Sequence, residues 1–182
     1  KTYPAETEAG RAAWIGQVKY NYDNKYYVEG SIRHDGSDRF APGKRWGAFF
    51  SGSLGWVVTA EEFMQGLVEK NILNSLKLRA NWGIVGNDAG SGYYGYMALY
   101  SNSQNANKGA YYLSQNEAYN LKWEGSESYG FAAEARLFNR WNLSVEYFDK
   151  RNKDLLFDVD LPLSAGATST SSASATVLMN MG

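Results

Sequence analysis

Residues 76–85 read LKLRANWGIV, where Leu76, Leu78, Ala80, Trp82 and Ile84 alternate with Lys77, Arg79, Asn81 and Gly83. Successive Cβ atoms of a β-strand point to opposite sides, so this order gives a strand with one apolar and one polar face. The period recurs along the chain. Trp14, Gly16, Val18 and Tyr20 oppose Arg11, Gln17, Lys19 and Asn21, and Tyr26, Val28, Gly30 and Ile32 oppose Tyr27, Glu29, Ser31 and Arg33. Trp46, Ala48, Phe50, Leu54 and Trp56 oppose Arg45, Gly47, Ser51, Ser53 and Gly55. Tyr129, Phe131, Ala133, Ala135 and Leu137, then Trp141, Leu143, Val145 and Tyr147, oppose Ser128, Glu134, Arg136, Asn142, Ser144 and Glu146. About six antiparallel, up-and-down strands are expected, each near the length of a barrel strand.

The connections differ in length. Tight turns are expected at Asp23–Lys25 and Asn139–Arg140, and long loops at Asp35–Lys44, at Gly86–Leu121 and from Lys150 onward. Traced up and down, short turns fall on one end and long loops on the other, as in outer-membrane barrels. Thr59–Asn74 is a long connection on the short-turn end, where TAEE reads as a capping box (Thr59 as N-cap, Glu62 at N3) opening a short helix.

Beyond the apolar face lies either a second protein layer or lipid. Aromatics make up 15% of the chain, with 14 Tyr and 6 Trp against 8 Phe, a bias toward rings with a polar handle that suits a dry–wet interface. They cluster near strand ends, at Trp14, Tyr20, Tyr26, Trp46, Trp56, Trp82, Tyr129, Trp141 and Tyr147. The polar face mixes Gly, Ser and Asn with charges, as a watery lumen allows. Both features favour a transmembrane barrel wall, and a soluble β-sandwich stays the open alternative. With a net charge of −1 and scattered Lys and Arg, nothing points to nucleic acid. Cysteine is absent, which removes disulfides and thiolate chemistry. The first residues, KTYPAETEAG, lack a signal-peptide pattern, so the sequence reads as cytosolic or as a mature or partial chain.

The stretches VEGSIRHDGSDRFAPGKRWGAFFSGSLGW, LKLRANWGIVGN, LKWE and YFDKRNKDLLFDVDLP, in that order between Trp14 and Pro162, resemble the SusC/RagA-like TonB-dependent transporters of the Bacteroidetes outer membrane. The resemblance implies an all-β chain forming part of a large, 22-stranded transmembrane barrel filled by a plug domain. It implies uptake of glycans or peptides beneath a SusD-like surface lipoprotein lid, energised by TonB through the plug. The lipid bilayer surrounds the wall, and neither enzymatic activity nor a cofactor is implied. Residues 1–182 correspond to a middle-to-late barrel section, and the plug and barrel-closing strands have no counterpart here. ATVLMNMG looks like the start of a further strand. A soluble carbohydrate-binding β-sandwich, with sugar on its exposed tyrosines, and a passive porin-like channel are the alternative readings.

Candidate site residues follow from the two exposed environments. Tyr93, Tyr94, Tyr96, Tyr100, Tyr111 and Tyr112 sit in the long 86–121 loop and are candidates for ligand contact. Glu29, Arg33, Lys77, Arg79, Glu134, Arg136 and Glu146 are expected to face the lumen and to pair across strands. GSGYYG matches a dinucleotide fingerprint by letter but lacks the helix that such a site needs, so it reads as loop. His34, Asp35 and Asp38 in HDGSDRF read as a strand-to-loop turn, and the single histidine rules out a multi-histidine metal site. Glu124 and Glu127 as a carboxylate pair carry no signal among 19 acidic residues. TSTSSASAT reads as a mobile loop.

Overall fold

The computed structural model describes residues 8–105, 108–160 and 176–181. Six long strands form one antiparallel sheet: β1 (Arg11–Tyr22), β2 (Tyr26–Ser37), β3 (Trp46–Val57), β4 (Leu73–Asn87), β7 (Glu124–Leu137) and β8 (Trp141–Lys153), in the order β1-β2-β3-β4-β7-β8. These are the strands that the alternation marks out. Directly opposed residues share a face, so the register sorts the side chains. One row runs Tyr20, Val28, Leu54, Ala80, Phe131 and Tyr147, and an adjoining row on the other face runs Lys19, Glu29, Ser53, Asn81 and Gly130.

Among the described residues no second layer covers the apolar face. Trp14 is 73% exposed, Val145 60% and Phe131 56%, although Phe131 sits mid-strand in the sheet. This is not the geometry of a sandwich, whose inner faces interdigitate. The strands are also staggered. The Tyr22↔Tyr26 pair closes directly into the first tight turn, while the same row reaches Ala133 and Val145 four residues short of the Leu137↔Trp141 pair at the second. A step of about one residue per strand, 3.3 Å against a spacing near 4.8 Å, tilts strands by roughly 35°. Barrel walls need a tilt of this size. The sheet is open, with β1 and β8 at its edges.

Both tight turns place two consecutive residues at positive φ, the mirror-image turn that matches strand twist. Asp23 and Asn24 form the first, with Lys25 N–H donating to Tyr22 C=O at 3.0 Å. The second is centred on Phe138 and Asn139, one residue earlier than expected, with Arg140 N–H donating to Leu137 C=O at 3.0 Å. The helical connection is present but differently built. Short 3₁₀ turns at Val58–Ala60 and Glu62–Met64 precede α1 (Gln65–Glu69). Thr59 is not a cap: it lies within the first turn, and its Oγ1 accepts a bond from Leu76 N–H at 3.2 Å. Asn71, at positive φ, ends the helix in the manner of a left-handed C-cap.

The long loops depart from expectation. They carry a second sheet of four strands: β5 (Leu99–Asn105), β6 (Lys108–Gln115), β9 (Leu155–Asp160) and β10 (Thr176–Met181), in the order β5-β6-β10-β9. The stretch ATVLMNMG thus supplies a strand that pairs with β9 and β6 rather than with the edge of the long sheet. His34 and Asp35 lie inside β2, which runs on to Ser37, so the turn begins only at Asp38. The stretch TSTSSASAT falls, except for Thr176, outside the described residues. The compact core of the chain sits among these loops. Phe40, Ala41, Tyr96, Leu121 and Leu178 are buried together, with Ala118, Trp123 and Leu156 packed against them.

Candidate functional site

Three clusters occupy the ends and the polar face of the sheet. All seven charged residues singled out from the sequence lie on that one face. Glu29 opposes Ser53, Arg33 opposes Phe49, Lys77 opposes Glu134, Arg79 opposes Gly55 and Ala132, Arg136 opposes Asn142, and Glu146 opposes Ala132. Beside Glu29 and Arg33, Ser51, Ser53 and Gly83 are too small to fill the surface, which leaves a trough of about 550 Å³. Arg79 pairs with Glu134 across β4 and β7, and Lys19 reaches Glu29 at 3.4 Å across β1 and β2. Lys77 is the register partner of Glu134 but lies over the Tyr27 ring, 5.4 Å from its centre. Arg33 Nε donates to both carboxylate oxygens of Asp35, at 2.8 and 2.7 Å. Ser31 and Ser51 share a hydroxyl bond at 2.7 Å. The face is polar and self-paired, yet open.

At the long-loop end, an aromatic stack runs from the sheet into the loop core. The β3–β4 ladder stops at Ser51↔Gly83, and beyond it the Phe49 ring lies against Gly86. Phe49 meets Trp123 edge-on at 5.5 Å between centroids, and Trp123 meets Phe40 at 5.2 Å. The Trp123 indole donates to Arg45 C=O at 3.1 Å. A neighbouring polar node centres on buried Asp88, which accepts bonds from Ser37 Oγ and the Arg11 guanidinium, both at 2.8 Å. Arg39 donates to Asp88 C=O at 3.3 Å and lies 4.9 Å from the centre of the Tyr93 ring. Phe49 breaks the alternation by placing a large ring on the polar face. Gly47 and Gly86, each with the Phe49 ring where a Cβ would stand, are the sequence signal that makes room for it.

The six loop tyrosines have different surroundings. Tyr96 is buried in the loop core near Tyr119, which takes it out of the set that can face a ligand. Tyr93 lies beneath Arg39 and is half-exposed, as is Tyr94. Tyr112 is partly buried on one face of the β5–β6 hairpin. Tyr100 and Tyr111 stand on its other face, 68% and 82% exposed.

Two acidic residues gather many partners: Glu61, which no motif singles out, and Glu127, which the sequence offers only as half of a carboxylate pair without signal. Glu127 accepts from Lys153 Nζ at 2.6 Å, the Tyr129 hydroxyl at 2.6 Å and the Trp82 indole at 3.0 Å. Glu61, in the helical connection, accepts from the Tyr26 hydroxyl at 2.6 Å and the Trp56 indole at 3.2 Å, with Lys25 Nζ at 3.9 Å. Bonds from the Tyr26 hydroxyl and then the Trp56 indole hold the Glu61 carboxyl below its ordinary range; burial pushes it up by less, and the Lys25 charge adds the smallest downward pull. Each carboxylate sits beyond an aromatic pair at one end of the apolar face and fixes the polar ends of two rings. The signal was available: an acid within two residues of Tyr129, and another within five of Trp56, at the ends of alternating strands.

A family model described as TonB dependent receptor-like, beta-barrel matches residues 2–180. The chain belongs to the TonB-dependent receptor β-barrel family. TonB-dependent receptor P39 of Formosa agariphila is 35% identical over 158 residues, 82% of this chain and 14% of that protein. TonB-dependent receptor SusC of Bacteroides thetaiotaomicron is 32% identical over 159 residues, 83% of this chain and 16% of SusC. The structure of the RagAB peptide importer in its "closed-closed" state superposes with a TM-score of 0.79 at 25% identity, over 94% of this chain and 18% of that one. The chain therefore spans 14% to 17% of the length of the curated relatives it matches. Within this receptor family the six-stranded sheet is a section of barrel wall that does not close within this segment.

Proposed function

We propose that this chain is a wall section, with its outer loops, of a TonB-energised transporter that brings oligosaccharides or peptides across the outer membrane of a Bacteroidetes-type bacterium. The observation that carries the reading is the six-stranded sheet itself: apolar and uncovered on one side, charged and troughed on the other, staggered as a large barrel requires. The apolar face meets acyl chains. The polar face lines the lumen, where Glu29, Arg33, Lys77, Arg79, Glu134, Arg136 and Glu146 meet a plug domain around a water-filled trough of small residues. The edges β1 and β8 pair with further wall strands, which removes two long open edges that would otherwise invite aggregation. TonB acts through the plug, and a SusD-like lipoprotein closes over the loops. The likeness to TonB-dependent receptor SusC and to the RagAB peptide importer supports this reading.

The test is uptake by cells expressing the full-length receptor, with and without TonB, alongside fractionation of the protein. Residence in the outer membrane, detergent-dependent extraction and TonB-dependent accumulation of an oligosaccharide or peptide are expected. Uptake that persists without TonB would instead indicate a passive channel, and a detergent-free soluble protein would end the reading. Arg79→Leu is expected to loosen the plug or alter permeation.

A further inference from the structure

One face of the β5–β6 hairpin has a composition unlike the rest of the loops. The register places Tyr100 opposite Leu113, Asn102 opposite Tyr111 and Gln104 opposite Gly109. Alternation puts these six on the same side. The face therefore carries two phenol rings, two carboxamides, the half-buried Leu113 side chain, a glycine that leaves the surface open, and no charge. Tyr111 is the most exposed large apolar side chain among the described residues. The hairpin stands clear of the loop core. A single bridge, Thr176↔Gln115, joins it to β10, and the Gln115 carboxamide braces its base by donating to the Tyr94, Gly95 and Met97 carbonyls at 2.9, 3.2 and 3.0 Å.

From this we infer that the Tyr100–Tyr111 face of the hairpin is a binding platform for an uncharged oligosaccharide, a specificity element of the transporter. The inference rests on the transporter reading and narrows its substrate class. A pyranose offers an apolar C–H face and a rim of hydroxyls. The first covers an exposed ring and removes it from water, while the second suits carboxamides that donate and accept at neighbouring atoms. A peptide of ordinary composition brings termini and side chains whose charges call for a partner charge, and this face has none. Tyrosine and asparagine on a strand pair bind at low entropic cost, since the rings have few torsions to lose.

Binding by the full-length receptor in detergent, measured on an array of neutral oligosaccharides of glucose, xylose, mannose, galactose and arabinose beside a peptide library, tests the platform. At least one neutral oligosaccharide is expected to bind, and Tyr111→Ala and Tyr100→Ala are each expected to weaken it about tenfold or more, as truncation of an exposed aromatic anchor does. Tyr111→Trp should retain binding, and peptide and charged-glycan binding should be absent or unaffected by the alanine variants. Oligosaccharide binding unchanged in both variants overturns the platform and leaves the transporter standing. Binding of peptides alone, or of no member of the array, also overturns it. TonB-dependent uptake measured on the same cells keeps these outcomes separate from failure of the transport reading.

Discussion

Replacing Gly86 by Ala would drive a methyl group into the ring of Phe49. The ring has little room to yield: a Cβ at Gly47 would lie 2.7 Å from its Cζ, Trp123 packs edge-on against it, and Phe49 is 8% exposed. Overpacking of this kind costs about 1–3 kcal/mol. Pushing the ring off Trp123 also forfeits an aromatic pair worth about 0.5–1.5 kcal/mol. The sum is roughly 1.5–4.5 kcal/mol at the point where wall and loops join. In a Phe49→Ala background the clash has nothing to strike, so Gly86→Ala should become neutral or mildly favourable, as Ala is less costly than Gly in a strand by about 0.5–1 kcal/mol. A double-mutant cycle read by chemical unfolding in lipid vesicles, with tryptophan fluorescence as the probe, measures the coupling. Additivity within about 0.5 kcal/mol, the range seen for sites that do not touch, would refute the packing argument.

Other consequences are local. Glu61 has a folded pKa below its ordinary 4.5, so its stabilising contribution is complete above that value and is lost as pH falls through the folded pKa. The protection of amides across residues 58–72, taken relative to their intrinsic exchange rate at each pH, should therefore stay constant from neutral pH to about 5 and fall below it, and Glu61→Gln should abolish the dependence. Arg79 and Glu134 are 48% and 43% exposed in their side chains, so their pairing should show a coupling of no more than about 1 kcal/mol that fades with added salt. A larger, salt-insensitive coupling in the Arg79→Ala/Glu134→Ala cycle would mean that the polar face is drier than an aqueous lumen.

Much of the wall was legible because a period of two needs nothing but local sequence. Leu78, Ala80 and Trp82 face one way whatever surrounds them, and each strand repeats the message. The tight turn at Asp23 was legible for a similar reason, since Asp and Asn tolerate positive φ. The second turn slipped by one residue because it seats Phe138 at positive φ, a position that propensity argues against. What escaped depended on distant partners. Nothing in SNSQNANKGAYY announces that its strands join a sheet with β9 and β10, because those pairings span up to 61 residues, from Gln115 to Thr176. Tyr96 looked equivalent to Tyr100 in sequence, and only the packing of Phe40, Leu121 and Leu178 separates the buried ring from the exposed one. The Thr59–Glu62 spacing matched a capping box, but Thr59 spends its hydroxyl on Leu76 N–H across the connection.

The account stands on which medium touches the apolar face. Phe50 and Ser51 are neighbours on β3 that point to opposite sides, and each can be changed to Lys in the full-length receptor folded into vesicles. With lipid outside and water inside, Phe50→Lys should destabilise by about 2–4 kcal/mol, the cost of a lysine facing the bilayer midplane, whereas Ser51→Lys should cost no more than about 1 kcal/mol for its lost hydroxyl bond. Equal effects, or a larger one at Ser51, would contradict the account.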